Sequence, residues 1–127
     1  MKQLAAVAAL LMLAGCAAMD KPSPEQIEKA DYGTYPNDYA QIVKQYIHRM
    51  FLEPDSVQDL SIQPPQKYWI TDSAIVGGRT TYGYMVQFSC NAKGRAGIYT
   101  GVRTTRLFIR NGVVIRQTDP DRPDVRH

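Results

Sequence analysis

The groups in this 127-residue chain that could do covalent or ligand chemistry are few: two cysteines, Cys16 and Cys90, two histidines, His48 and His127, and a long basic run. A hydrolytic site needs a nucleophile, a base and a group that orients the base. His48 falls off the apolar stripe of the helix predicted around it, and His127 stands at the end of the sequence. No catalytic constellation is expected, and the chain reads as a non-enzyme without a cofactor. Zinc wants three or four Cys, His or carboxylate ligands at suitable spacing, which the sequence does not offer. Asp119, Asp121 and Asp124 lack the glycine turn and closing glutamate of a calcium loop, so solvation is the expected role and no metal site is predicted.

The basic run is the stronger signal. Between Asp72 and Asp119 there is no acidic residue, while Arg79, Lys93, Arg95, Arg103, Arg106, Arg110 and Arg116 lie in that interval. The formal net charge is +3, and the acids Asp20, Glu25, Glu28, Asp31 and Asp38 gather instead near the start. Arginine presents a planar fork that matches carboxylate and phosphate. Arg103, Arg106 and Arg110 on a predicted strand, with Lys93, Arg95 and Tyr99 in a predicted loop from 91 to 101, are therefore the candidate binding residues. The bland alternative is a solvated sheet face whose charges keep an exposed surface soluble. A basic sheet with Tyr82, Tyr84 and Tyr99 would ordinarily suit nucleic acid.

The beginning of the chain argues against that partner. From Met1 to Cys16 the only charge is Lys2, and Leu4 to Leu13 is a nearly unbroken apolar run, the layout of a signal peptide. The run is shorter than the roughly 20 residues that span a bilayer as a helix. It closes on Leu13, Ala14, Gly15 and Cys16, which resembles the bacterial lipobox. The resemblance implies diacylglyceryl transfer to the Cys16 sulfur, cleavage after Gly15 and acylation of the new terminus with a chain such as palmitate. Two or three acyl chains hold a protein on a membrane almost permanently, each buried CH₂ adding about 0.8 kcal/mol. Ala17 in place of aspartate favours the outer membrane, by analogy with enterobacterial sorting. Cys90 is then left without a partner in the chain. Intermolecular bridging and a reactive thiol stand beside the expected role of a small buried hydrophobe.

The elements follow from periodicity. Residues 1–15 read as signal peptide, 16–33 as the lipidated cysteine and a flexible tether, 34–118 as one small domain and 119–127 as a disordered tail. Tyr39, Ile42, Val43, Tyr46, Ile47 and Met50 recur at steps of three and four, which predicts an amphipathic helix over 36–52. Pro36 and Asp38 suit its first turn, and Pro54 lies just past its end. Beyond residue 56 the period becomes two, predicting strands over 57–62, 68–76, 80–90, 98–110 and 113–117. Gly77 with Gly78 and Asn111 with Gly112 suit hairpin turns. The parity change between Val102 and Leu107 predicts a bulge near Gly101. The expected class is α+β, with one helix packed on a meander of four or five antiparallel strands in two layers, the arginines on the face away from the helix.

Several islands occur together: Asp31, Tyr32 and Gly33 with Pro36 and Tyr39; Glu53, Pro54, Asp55 and Ser56; Tyr82, Gly83 and Tyr84; Asn91, Ala92 and Lys93; and Gly97 to Gly101. With these the chain resembles a group of small, uncharacterised proteobacterial lipoproteins. Glu53 and Gly94 depart from that pattern, which has an aspartate and a second asparagine there. The resemblance implies the fold and the envelope location, and implies no activity. The expectation is a non-catalytic envelope lipoprotein, membrane-anchored with its domain in the periplasm, that binds a protein partner or an anionic envelope polymer. The alternative is a structural or accessory subunit of an envelope assembly or secretion complex.

Overall fold

The computed structural model describes residues 21–72 and 78–120. The order is α1 (Pro24–Lys29), α2 (Tyr39–Met50), a 3-10 turn (Pro54–Ser56), then β1 (Gln58–Ile62), β2 (Gln66–Thr71), β3 (Thr80–Lys93), β4 (Tyr99–Arg110) and β5 (Val113–Thr118). The strands make one antiparallel five-stranded sheet in the order β1-β3-β4-β5, with β2 also bonded to β3. An α+β class is therefore right. Cys16, Gly77 and residues 121–127 lie outside the described residues.

The chain divides into two compact units, Met1–Ala30 with Trp69–Thr81 and Asp31–Tyr68 with Tyr82–His127. In the first, α1 is opened by a capping box in which Ser23 and Gln26 each bond the other's backbone N–H. The arms of the β2–β3 hairpin are held by a Thr71–Thr80 hydroxyl contact of 2.9 Å and by the Asp72 N–H donating to Arg79 O at 2.9 Å. Residues 24–29, read from sequence as part of a tether, are thus helical.

The meander of the sheet is modified. β1 and β2 do not pair with each other; both run along one edge of β3, which at 14 residues is long enough to hold the two end to end. Pro64 and Pro65 fall between them, and proline brings no N–H to a ladder. The helix also starts later than its proline suggests. Pro36 is buried outside it, accepting from the Tyr39 N–H at 3.1 Å, and Asp38 is an N-cap whose side chain makes no cap bond.

Ile42, Val43 and Ile47 of α2 are buried in one cluster with Val86, Phe88 and Cys90 of β3 and Leu107 and Ile109 of β4. Each large apolar side chain so buried contributes about 1.5–3 kcal/mol. Met50, expected on the buried stripe, is 58% exposed; it lies beside Val114 and Ile115 of the edge strand. Tyr32 is buried and touches Tyr82 edge-on, ring centres 5.5 Å apart, so ordered packing begins upstream of residue 34.

The register sorts β4 by parity. Tyr84, Val86, Phe88 and Cys90 stand opposite Ile109, Leu107, Thr105 and Arg103, and Met85 and Gln87 stand opposite Phe108 and Arg106. Paired residues share a face, so one face carries the core and the other carries Phe108, itself buried and edge-on to Tyr68 at 6.0 Å. The expected irregularity near Gly101 is present: the register shifts between Asn91 and Lys93, and Gly101 has φ +93°.

Gly83 is where the backbones come closest. A Cβ there would sit 2.6 Å from Ile109 O and 3.0 Å from the Phe108 ring. Gly83→Ala is expected to lower stability by about 1–3 kcal/mol through overpacking, read as a shifted urea midpoint with an unchanged slope.

Candidate functional site

The three strand arginines do not form one surface. Arg110 is engaged structurally: its guanidinium donates to the carbonyls of Asp31 at 2.7 Å and Tyr82 at 2.8 Å, with the Asp31 carboxylate 3.6 Å away. Beside it Asn111 accepts from the Thr34 N–H at 2.9 Å, and Gly33 at φ +78° leaves no room for a side chain against that amide. Arg106 is exposed on the face away from the helix, bonded to Gln87 at 3.0 Å. Arg103 stands opposite Cys90 on the core face, so the expectation of all three on the far face is corrected. Its even spacing from Leu107 and Ile109 is the cause, since alternation on an unbroken strand puts 103, 107 and 109 on one face.

The loop from 91 to 101 is tied down from within the same unit. Ser56 is the tie: its hydroxyl donates to Glu53 O at 2.6 Å and accepts from the Lys93 N–H at 2.9 Å, while its carbonyl accepts from the Tyr99 hydroxyl at 2.9 Å. Lys93 lies over the Tyr99 ring at 5.6 Å. Asn91 accepts from the Gly101 N–H at 3.1 Å, and Gly94 and Gly97 close the turn. Three of the sequence islands thus meet at one serine, with Lys93 and Tyr99 holding the loop in place. Arg95 is exposed at the tip.

What the structure brings together instead is a recess of about 210 Å³ between the end of α2 and the core face of the sheet. Tyr46 and Phe51 form one wall, Cys90, Arg103 and Thr105 another, and Gln117, Thr118 and Asp119 of β5 and its exit a third. Asp119, expected to begin a tail, is half-buried here. The Gln117 Oε1 is buried and has no hydrogen-bond partner among the described residues. Among the described residues Arg103 makes no hydrogen bond or ion pair. Burial pushes the Cys90 thiol up from its ordinary value, and burial followed by the nearby Asp119 carboxylate pushes up the Tyr46 phenol. Both are held in their protonated forms, so Cys90 is a poor nucleophile at neutral pH.

Gln117 carries no motif. Its place is hidden because Phe108 pairs with Arg116 but Ile109 pairs with Val114. Ile115 is the extra residue, and it turns Gln117 onto the same face as Val114 against the simple alternation. Compared with known proteins, the chain matches no family model, no curated protein and no solved structure.

Two outcomes follow. Arg110→Met should cost about 2–3 kcal/mol, since charged hydrogen bonds to two carbonyls are lost, whereas Arg106→Ser should stay within about 0.5 kcal/mol; urea titrations of the two variants separate a latch from a surface charge. For pH, Cys90 ionises in the unfolded chain at its ordinary value and in the fold only above it. The stability it contributes is whole below that value and falls as pH rises through it toward the folded one. Cys90→Ala should therefore flatten the alkaline loss of stability, measured from about pH 7 to about 10.

Proposed function

We propose that this chain is a non-catalytic lipoprotein of the bacterial cell envelope, held at the outer membrane by lipid on Cys16, whose small periplasmic domain binds a protein partner or an anionic envelope polymer. The observation that carries the location is the sequence Leu13-Ala14-Gly15-Cys16 closing an apolar run with Lys2 ahead of it. In this reading α2 is an amphipathic helix that forms a second layer over the sheet. Its Ile42, Val43 and Ile47 share the core cluster with β3 and β4, while Gln41, Lys44, Gln45 and His48 are exposed.

Binding is assigned to Arg95 at the hairpin tip, Arg103 in the recess and Arg106 on the open face, where Arg106 bonds the Gln87 side chain and not the backbone. Arg110 is excluded from that set because it bonds two carbonyls. The second reading, an accessory subunit of an envelope assembly, is favoured by one observation. Met50, Val113 and Ile115 expose apolar surface at 58, 59 and 48% along or beside the edge strand β5, the kind of strip that packs against a neighbour.

Cys16→Ser should abolish incorporation of an alkyne-labelled fatty acid and release the protein from the membrane fraction; continued membrane retention and labelling would sink the anchor. Crosslinked affinity purification should recover a partner that is lost from a folded variant carrying Arg95→Ser, Arg103→Ser and Arg106→Ser. Recovery unchanged in that variant would remove the basic residues from the contact, and recovery in fixed ratio with neighbours lost on Ile115→Lys would favour the accessory reading.

A further inference from the structure

The recess beside α2 offers a guanidinium and a buried amide carbonyl that the described fold leaves without partners, on walls that also hold a carboxylate and the hydroxyls of Tyr46, Thr100, Thr105 and Thr118. Arg103 is half-buried and calls for an acceptor. Gln117 Oε1 is buried and calls for a donor. Asp119 adds negative charge on the Gln117 side of the space. A bare dianion would gain from Arg103 and be repelled by both oxygens. A group that carries its own acceptor and donor a few bonds apart satisfies every wall. The volume of about 210 Å³ is below the roughly 300–1,000 Å³ of sites that enclose drug-sized ligands, and it suits a single residue-sized unit. The Phe51 ring and Ala92 supply apolar contact for a short side chain, and the exposed Thr100 and Thr118 mark the mouth.

We propose that this recess binds an α-carboxylate with an N–H on the adjacent carbon, the chemistry of a peptide C-terminus or a free amino acid. The carboxylate lies against the Arg103 fork, and the N–H donates toward Gln117 Oε1 and Asp119. The protonated Cys90 thiol and the Thr105 hydroxyl line the space and fix nothing covalently. The assignment rests on the binding reading above and is independent of the lipid anchor.

The test uses the full chain purified in detergent and three probes: N-acetyl-glycyl-alanine, the same dipeptide capped as its C-terminal amide, and free alanine. Binding is followed by calorimetry and by the alkylation rate of Cys90, read on its own peptide by mass spectrometry so that Cys16 does not contribute. The free acid should slow alkylation of Cys90 about fivefold at saturation while the amide does not, and Arg103→Met should weaken the acid about tenfold. Gln117→Leu should weaken it as well, with the thermal midpoint of each variant reported alongside. Tighter binding of the dipeptide acid than of alanine identifies a peptide end, and the reverse identifies a free amino acid. Equal protection by acid and amide overturns the proposal, as does no protection at about 20 mM probe, or an Arg103→Met protein that binds like wild type. Intact probe binding with a failed partner purification would fault the partner reading alone, and the opposite result would fault the recess alone.

Discussion

β3 bonds to β1, β2 and β4, and only β5 is attached at one remove. Its 14 residues therefore set the register for the whole sheet, and a slip of one would turn Val86, Phe88 and Cys90 away from the helix. The slip is resisted from both sides. Val86 and its partner Leu107 have no solvent exposure at all, and Gly83 admits the Ile109 carbonyl at a distance no side chain would allow. Pinning the strand at these points is what lets its two ends be used for other work.

At one end, Arg110 and Asn111 gather the segment around Asp31 to Thr34 onto Tyr82 and the turn after β4. At the other, Ser56 gathers the 3-10 turn, the end of β3 and Tyr99. These two ties explain why the islands Asp-Tyr-Gly, Glu-Pro-Asp-Ser, Tyr-Gly-Tyr and Asn-Ala-Lys occur together in one sequence. They are the two ends of a single structural frame. A motif that serves as a tie is poor evidence for a ligand, and Lys93, Tyr99 and Arg110 lose weight as binding residues accordingly.

The period changes made α2 and the five strands legible but not α1, because burial of one face is a local demand that alternation records directly and α1 buries no residue. Gly101 was legible too, as a break in parity on β4. Arg103 needed only the same rule: it shares odd parity with Leu107 and Ile109, and charge alone suggested grouping it with Arg106 and Arg110. The end-to-end arrangement of β1 and β2 was not legible, since Pro64 and Pro65 read equally well as a turn. Nor was Gln117, whose face depends on the extra residue Ile115 in the pairing with β4. Tyr32 was missed because a single buried aromatic outside any periodic segment leaves no pattern.

Gln117 and Arg103 both belong to the recess. An unpartnered buried amide oxygen costs about 1–3 kcal/mol, and a domain of this size has a total stability of only about 5–10 kcal/mol. Gln117 sits on the face that also holds Val114, where an apolar residue would join the core without that cost. Arg103 likewise occupies a position opposite Cys90 where β-branched residues would pack. A small fold that keeps a guanidinium and an amide at the margin of its core gives up stability there, and a ligand supplying both missing partners would return it. Structure and energetics thus point to the same few residues, on the face of the sheet that charge patterning alone would have passed over.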